Sequence, residues 1–299
     1  MSGHVLIAQA ALSAVGRALP DGVTLRGLTA DDLEAALALS RGFQWPFRLE
    51  DWRFSLAHGQ GVAALRDGEL VGTALRWPWG EQHATVGHVM VSPRIQGQRV
   101  GQHLMHAVMA GIEDRAVLLH ATAEGRGLYE RMGFQTTGEV RQHQGLAAPA
   151  KLVALPPGVR LRPLGRNDAK TLVALDARAA GMPRDAMLQQ LLAEGDTVVL
   201  ALGGEAVGFY IVRRFGRGYA IGPVVAPDLP GAQALVGHCC SLYAGKFLRI
   251  DVDAASGLPG WLEAQGLPRV DTATTMVRGG ALERGPAFGG WALVTQSMG

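Results

Sequence analysis

Residues 87–112 contain the strongest candidate for an anion-binding site in the sequence. Val89 and Val91 belong to a β-branched strand that ends at Pro93, and a turn rich in Gln, Gly and Arg then leads into a helix. A helix that begins directly after such a turn presents unpaired backbone N–H groups and the positive end of its dipole. This combination binds phosphate, so the segment predicts a phosphate-bearing ligand.

The turn itself carries two glycines and two arginines. Gly97 and Gly101 have no side chain to keep a ligand away from the backbone, and Arg94 and Arg99 add mobile positive charge. The turn lacks the terminal Gly-Lys-Ser/Thr of a Walker loop and the last glycine of the G-x-G-x-x-G fingerprint. Neither of these nucleotide-binding motifs is therefore present.

Two segments resemble motifs of the GCN5-related N-acetyltransferases. The run from Val91 to Gly101, VSPRIQGQRVG, is similar to the coenzyme A signature of that family, a strand ending in Val followed by Gln/Arg-x-x-Gly-x-Gly/Ala. Gln96 and Gly101 match its first and last positions, whereas Arg99 stands where the middle glycine is expected. Residues 126–134, RGLYERMGF, resemble the short family helix that ends in L-Y-x-x-x-G-F.

The resemblance implies that acetyl-coenzyme A is the cosubstrate. In the family the strand that carries Val89 and Val91 splays from its neighbour and holds the pantetheine through main-chain groups, while Ala121 and Thr122 would face the substrate channel. The binding residues that the resemblance implies are Val89, Val91, Gln96, Gly97, Gln98, Arg99, Val100, Gly101, Gln102 and Thr122. No metal site is predicted.

Acetyl transfer from a thioester to an amine needs a deprotonated amine, a polarised carbonyl and a proton for the departing thiolate. No covalent intermediate is required. The resemblance gives the proton-donor role to Tyr129. The alternative is a half-buried tyrosine that only packs the short helix.

The general base is less clearly marked. The side chains with suitable chemistry are Glu81, His83, His88 and His120. Thr85 and Gly87 occupy the strand positions that point to the site, and neither accepts a proton usefully. His83 lies on the same face, so His83 and Glu81 stay candidate catalytic residues, acting through a water chain, whereas strand alternation turns His88 to the other side. An amine that arrives neutral would need no base.

The chain repeats itself at a distance of 136 residues. The matching segments are residues 23–28 with 159–164, and residues 68–72 with 204–208. Pro156-Pro157-Gly158 separates the two halves. We therefore predict an N-terminal extension over 1–22, an acetyl-CoA-binding domain over 23–155 and a degenerate domain of the same kind over 159–299. This tandem plan resembles the YitH-like branch of the superfamily.

The second half lacks the groups on which the site depends. Pro230, Gln233 and Leu235 replace Gln96, Arg99 and Gly101, and Leu262 replaces Tyr129. This half is therefore expected not to bind acetyl-CoA and to close the cleft or support the first half instead. Its polar residues Asp176, Arg178, Arg184 and Asp185 either line a substrate pocket or belong to solvated helix ends. In the first half, Trp45, Trp52, Trp77 and Trp79 are expected in the core or in the wall of an apolar acceptor pocket.

The fold class predicted is α/β (α+β), with two tandem acyl-CoA N-acyltransferase-like domains. Each domain is expected to hold a mixed, mostly antiparallel sheet flanked by helices. The patterns predict strands at 61–66, 69–77, 83–91 and 116–122 of the first half and a helix over about 99–114. In the second half they predict strands at 197–202, 206–214, 218–225 and 247–253, helices at 230–245 and 258–265, and a last strand at 291–295.

Composition limits the partners and the compartment. The 28 basic and 26 acidic residues of the 299-residue chain leave no polyanion-binding footprint, so no nucleic acid partner is expected. The vicinal pair Cys239 and Cys240 indicates a reducing cytoplasm, and no apolar run reaches membrane-spanning length. Residues 1–18 faintly resemble a signal peptide but lack a basic start. The expected partner is a small-molecule or peptide amine, and a homodimer is left open.

Two other functions stay open at this point. The arginine in the glycine position and the missing base favour a non-catalytic acyl-CoA-binding sensor or scaffold. A nucleotide-binding α/β domain is the other alternative, and it would bind ATP or NAD rather than coenzyme A.

Overall fold

The computed structural model describes residues 19–151, 153–280, 282 and 289–299. Most of the predicted extension, including the segment weighed as a signal peptide, lies outside these residues. The described residues form two compact units that interleave along the chain. The first holds the residues up to Leu119, Gly127–Phe134 and Val277–Gly280, and the second holds His120–Arg126, Gln135–Met276 and the described residues beyond 280. The domain limits inferred from the repeat stay a prediction.

The first half of the sequence supplies six strands and four helices to the described fold. The strands are β1 (Val23–Gly27), β2 (Gln60–Arg66), β3 (Glu69–Trp79), β4 (His83–Val91), β5 (Ala116–Ala121) and β6 (Gln135–Leu146). The helices are α1 (Leu33–Gly42), α2 (Leu49–His58), α3 (Val100–Met109) and α4 (Ala123–Arg131).

The second half supplies seven strands and four helices to the described fold. The strands are β7 (Val159–Pro163), β8 (Asp196–Leu202), β9 (Glu205–Phe215), β10 (Gly218–Ala226), β11 (Phe247–Asp253), β12 (Arg269–Arg278) and β13 (Gly289–Ala292). The helices are α5 (Ala169–Ala180), α6 (Asp185–Glu194), α7 (Leu229–Leu242) and α8 (Leu258–Ala264).

The sheet of the first unit has the order β1-β2-β3-β4-β5. Its strands are antiparallel except for the parallel pair β4 and β5. Asp67 and Gly68 both have positive φ, which suits the tight turn of the β2–β3 hairpin. Helix α3 lies against this sheet and buries Leu104 and Met105 completely. The helix that begins at the predicted anion site is thereby held firmly on the sheet.

The sheet of the second unit has the order β12-β6-β11-β10-β9-β8-β7, with β13 paired to β10. β10 and β11 are parallel, whereas β6, which comes from the first half of the sequence, pairs with β11 in antiparallel fashion. Helix α7 packs its apolar residues, Leu235 and Cys239 among them, into the core of this unit. The mixed, mostly antiparallel α+β fold predicted from the sequence is confirmed in both units.

The structure also confirms the repeat. The parallel ladders join residues 83–85 to 116–118 in the first unit and residues 219–221 to 248–250 in the second. An ion pair precedes the first helix in each: Arg26 Nη2 lies 2.6 Å from Asp32 Oδ1, and Arg162 Nη2 lies 2.8 Å from Asp168 Oδ1. The two arginines and the two aspartates are each 136 residues apart, the distance found in the sequence.

Two predicted elements differ from the structure, and one strand was not predicted. Helix α3 ends at Met109 rather than near 114, because Ala110 has an extended ψ of 122° and Gly111 has a left-handed φ of 81°. The last strand lies at Gly289–Ala292 rather than 291–295. β12 was not predicted because its polar, largely exposed residues lack the apolar alternation of a strand. No helix among the described residues combines the length and the apolar character that crossing a bilayer requires.

Candidate active site

Strand β4 leaves its parallel neighbour partway along its length. The β4–β5 ladder ends at the pair Thr85 and Leu118, and in the described residues no strand pairs with 86–91 on that side. A bulge opposite Ala74 places His88 at a φ of 50°. An open strand edge of this kind accepts an extended amide-containing chain through main-chain hydrogen bonds.

Val89 and Val91 lie on this open stretch with half-buried side chains. Gln96, the first residue of the predicted signature, turns back towards the strand and donates from Nε2 to the Val91 carbonyl over 3.0 Å. The end of β4 and the start of the turn are thus fixed to each other by one side-chain hydrogen bond. Gly97 and Gln98 follow as exposed residues of the turn.

The turn before α3 aims free N–H groups at solvent. Gly97 and Arg99 both have left-handed φ values, 79° and 65°, and such alternation makes the amides converge. In the described part of the chain no hydrogen bond engages the N–H groups of Arg99, Val100 or Gly101, and no side chain caps the helix. The geometry is that of an anion site at a helix N-terminus.

The departure from the family signature now has a structural explanation. The position of the middle glycine needs positive φ, and Arg99 adopts φ 65° and ψ 10° there at a cost of about 1 kcal/mol. Its exposed side chain extends from the turn. The backbone path that glycine would favour is therefore kept, and a guanidinium is added beside the amides. Val100 instead points into the core and is 1% exposed.

A surface pocket of about 720 Å³ opens beside Arg99 in the first unit. Its lining residues are Arg99, Gln102, His106, Leu128, Arg131, Met132 and Arg278. Burial and the nearby Arg278 lower the pKa of His106. Arg94, the other arginine of the turn, instead pairs with Glu69 on the surface and is absent from this pocket.

Tyr129 lies near the end of α4 and is 8% exposed. Gly133 ends the helix with a φ of 85°, and the Phe134 N–H donates back to the Tyr129 carbonyl over 3.1 Å. The two rings meet edge to face at 6.1 Å. Burial raises the pKa of Tyr129 to about 12, so the phenol is protonated at neutral pH. Among the described residues no group forms a hydrogen bond with its hydroxyl.

The candidate bases lie at the opposite end of β4 from Val91. His83 begins the strand and Glu81 lies in the turn before it, so roughly 26 Å of extended strand separates His83 from Val91. Their catalytic role stays a prediction. Thr85 is buried, and its Oγ1 accepts a hydrogen bond from Trp79 Nε1 over 3.0 Å. It does not point to an open site.

His88 is a core residue. Its ring lies 4.7 Å from that of Trp52 and 5.4 Å from that of Trp77, and burial lowers its pKa to about 3. It is thus neutral at pH 7 and enclosed. In the second unit, His120 Nδ1 lies 2.6 Å from the Gln296 carbonyl oxygen, and the Thr122 hydroxyl accepts from the Gly125 N–H at the start of α4. Thr122 therefore acts as a helix cap in this structure.

The tryptophans divide between core and surface. Trp52, Trp77 and Trp79 are buried, whereas Trp45 is half-exposed and its ring lies 5.9 Å from that of Phe43. Of the four, only Trp45 could belong to the wall of an acceptor pocket.

The expectation of solvated helix ends is wrong for two residues of the second unit. Asp176 and Arg184 are 1% and 4% exposed, and Arg184 Nη2 lies 2.7 Å from Asp176 Oδ1. Arg184 Nη1 also donates to the carbonyl oxygens of Met298 and Gly299. They neither end in solvent nor line a pocket, because the pair anchors the tail of the chain. Leu172 and Leu175 mark the buried face of α5, and Asp176, four residues after Leu172, falls on it, so helical spacing could have revealed its burial.

The cleft of the second unit is filled by that same tail. β13 pairs with β10 at residues 224–226, on the side where β11 leaves it, and the Leu293 N–H donates to the Asp251 carbonyl of β11 over 2.9 Å. A Cβ on Gly222 would lie 1.9 Å from Leu293 O, which shows how closely the tail approaches. The N-terminus of α7 is also closed, because Asp228 accepts from the Gly231 N–H over 2.8 Å.

Sequence reasoning missed several residues of the first-unit pocket. Gln102 was among the predicted binding residues, but His106 was not, although it follows Gln102 by four residues and helical spacing could have placed both on one face of α3. Helical spacing also relates Leu128 to Arg131 on α4. The remaining member, Arg278, carries no local signal, because it comes from a strand at the other end of the sequence.

Comparison with known proteins identifies the family of the chain. Two models of the acetyltransferase (GNAT) domain match the chain, one over residues 48–149 and one over residues 172–286. The chain is 30% identical over 176 residues to the uncharacterized N-acetyltransferase YitH of Bacillus subtilis strain 168. That match covers 56% of this chain and 60% of YitH, so the chain aligns with less than two thirds of this relative.

Solved structures share the fold at low identity. A putative acetyltransferase from Pyrococcus horikoshii has a TM-score of 0.78 at 19% identity, covering 95% of this chain and 98% of its own. A GCN5-related N-acetyltransferase from Sphaerobacter thermophilus has a TM-score of 0.66 at 18% identity, covering 90% and 100%. A tandem GNAT protein from the clavulanic acid biosynthesis pathway has a TM-score of 0.62 at 16% identity, covering 87% and 99%. The chain therefore belongs to the GCN5-related N-acetyltransferase superfamily of acyltransferases, as a member with two tandem domains.

Proposed function

We propose that the first unit binds acetyl-CoA and transfers its acetyl group to an amine, and that the second unit has no acetyl-CoA site. The observation that carries this proposal is the turn before α3, where the N–H groups of Arg99, Val100 and Gly101 lack partners and follow directly on the open edge of β4. The match of a GNAT domain model to residues 48–149 supports it.

The residues fit acetyl-CoA at three points. The free amides of the turn and the Arg99 guanidinium would hold the diphosphate. The open edge of β4 around Val89 and Val91 would bind the two amides of the pantetheine arm, and the half-buried valine side chains would contact the methylene groups. Tyr129, protonated at neutral pH, would stand at the sulfur.

Acetyl-CoA supplies the thioester, and the chemistry is a direct displacement. The amine nitrogen forms a bond to the carbonyl carbon, and the bond from that carbon to sulfur breaks. The hydroxyl proton of Tyr129 goes to the departing sulfur, and the proton that the nitrogen loses restores the phenol through solvent. Atoms and charges balance without a covalent enzyme intermediate.

The acceptor is a small-molecule or peptide amine. His83 and Glu81 stay proposed bases, acting through water, although an amine that reaches the site neutral needs neither. We propose that the reaction takes place in the cytoplasm, which the free, buried thiols of Cys239 and Cys240 support.

The experiment that tests the proposal compares the wild-type chain with Tyr129→Phe. We expect acetyl-CoA to bind both with affinities within about threefold, and release of free thiol with a panel of primary amines to fall about 100-fold in Tyr129→Phe. Hydrolysis of bound acetyl-CoA uses the same leaving group and provides the readout if no amine of the panel reacts.

Tyr219→Phe in the second unit is the matched control and is expected to leave turnover unchanged. A chain that binds acetyl-CoA but releases no thiol under any condition would be the non-catalytic sensor instead. A chain that ATP or NAD stabilises against heat, and coenzyme A does not, would contradict both functions.

A further inference from the structure

The pocket beside Arg99 concentrates positive charge without compensation. Three guanidinium groups, those of Arg99, Arg131 and Arg278, line it together with His106, and no carboxylate is among its lining residues. None of the three arginines takes part in an ion pair or a side-chain hydrogen bond within the described residues. An anion that enters the pocket would meet three cations and no carboxylate, so its binding there is electrostatically favoured.

The pocket has room for a nucleotide-sized ligand. Its volume of about 720 Å³ exceeds what a single phosphate needs and lies within the usual range for small-molecule pockets. Leu128 and Met132 supply apolar surface beside the charged groups. Arg99 belongs both to this pocket and to the turn with free amides, so one ligand could place one anionic group on the turn and a second in the pocket.

Arg278 reaches the pocket from a distant part of the sequence. It is the last residue of β12, and the segment Val277–Gly280 belongs to the first unit although it lies in the second half of the chain. Its charge acts on His106. The second half thus contributes a cation to the site that the first half forms.

We propose that Arg131 and Arg278 bind the 3′-phosphate of coenzyme A and make the first unit selective for coenzyme A over dephospho-coenzyme A. This inference rests on the proposed function. The 3′-phosphate is a monoester close to a dianion at pH 7, and it is separated from the diphosphate by the ribose, so it matches a second cationic group beside the turn. Paired guanidinium groups are the side chains best suited to bind it.

The test measures binding of coenzyme A and of dephospho-coenzyme A by calorimetry to the full chain. We expect the wild type to bind coenzyme A at least 30-fold more tightly than dephospho-coenzyme A. Arg278→Gln should reduce this preference to below about fivefold while changing the affinity for dephospho-coenzyme A less than twofold. Arg131→Gln provides an independent second variant with the same expected pattern.

Arg269→Gln is the matched control, because Arg269 is an exposed residue at the other end of β12. It should keep the wild-type preference. Equal binding of the two compounds by the wild type, or an equal loss for both in Arg278→Gln, would overturn the inference and leave the proposed function intact. If neither compound binds the wild type, the proposed function itself fails.

Discussion

Each unit contains an equivalent parallel ladder of two strands, but the units differ in what lies beyond the end of that ladder. In the first unit β4 and β5 part after Thr85, and the edge of β4 stays open among the described residues. In the second unit β10 and β11 part at the equivalent residue, Ile221, and β13 fills the opening. Both copies of the fold thus have this opening, but in the second copy the chain itself occupies the place that we propose for a ligand in the first.

The helices that follow the two clefts also differ, because the N-terminus is open in α3 and capped in α7. The N-cap residue of α3 is Arg99, whose side chain leaves the backbone amides free. The N-cap residue of α7 is Asp228, whose carboxylate takes the Gly231 amide and supplies the negative charge that the helix dipole favours. The second unit therefore satisfies internally both the strand edge and the helix end. The proposal that this unit has no acetyl-CoA site thus rests on occupied groups as well as on missing motif residues.

The largest effect should follow from breaking the anchor of the tail. Arg184→Leu would leave Asp176 charged, buried and unpaired, and we expect the free energy of unfolding to fall by about 3–5 kcal/mol in urea denaturation. Coenzyme A should still bind at one site per chain in calorimetry, because Asp228 keeps α7 closed. Arg166→Leu, at an exposed position, should cost less than about 0.5 kcal/mol. A second coenzyme A site in Arg184→Leu would mean that the tail alone keeps the second unit from binding.

The next prediction introduces at the N-cap of α3 the aspartate that caps α7 in the second unit. Arg99→Asp should reduce the affinity for acetyl-CoA about 100-fold, or about 2.7 kcal/mol, because the carboxylate competes for the amides and repels the diphosphate. Arg99→Gly is the control. It removes the charge but keeps the left-handed backbone at lower cost, so its loss of affinity should stay near tenfold. Similar losses for the two variants in calorimetry would show that the amides are not the binding groups.

The third prediction replaces His88 with valine, the residue found 136 positions later, at Val224 of the second unit. His88 has a pKa of about 3 when folded and about 6.5 when unfolded, so the unfolded chain takes up a proton first as the pH falls. Stability is therefore lost below about pH 6.5, and between pH 7 and pH 5 the loss should reach about 2 kcal/mol. His88→Val should remove this share of the pH dependence. The slope of unfolding free energy against pH is the readout, because valine at φ 50° also lowers stability at every pH. An unchanged slope would contradict the assignment.

The smallest expected effect is on stability, and it follows from removing the N-cap residue of α7, Asp228. Asp228→Ala should destabilise the chain by about 1 kcal/mol, the usual value for an N-cap carboxylate. It should not create affinity for coenzyme A, because β13 still fills the cleft. Asp228→Asn keeps an acceptor oxygen and should cost less than the alanine variant in the same thermal unfolding measurement. Equal costs would indicate that the hydrogen bond to Gly231 contributes little.

The sequence was sufficient to predict elements whose bounds depend on residues close together in the chain. The bounds of β4 at His83–Val91 agree with the prediction, because β-branched residues, Pro93 and the following turn all act within a few residues. The turn from Gln96 to Gly101 was identified for the same reason, and its left-handed backbone explains the expected glycine. The role assigned to Tyr129 came from family resemblance, and the roles of His83 and Glu81 came from side-chain chemistry and strand alternation. All three stay predictions.

The sequence was insufficient where residues meet across long separations. Nothing near Arg278 indicates that it lines a pocket with Arg99, and nothing near Trp291 indicates that its strand enters the cleft of β10 and β11. These placements depend on packing that only the whole fold decides. The predicted exposure of Asp176 and Arg184 was wrong for another reason. Charged residues are usually exposed, whereas this pair is buried by the tail that it binds.

The pairing of β6 with β11 also has a consequence for synthesis of the chain. Seven residue pairs join them, from Phe247 opposite Leu146 to Asp253 opposite Val140, so about a hundred residues separate each partner from the other in sequence. At ordinary translation speeds the ribosome needs on the order of 5–20 s to make that stretch. During this interval β6 is an unpaired nascent strand, the kind of segment that aggregates or recruits chaperones. An N-terminal fragment ending near residue 157 would keep that strand without its partner permanently.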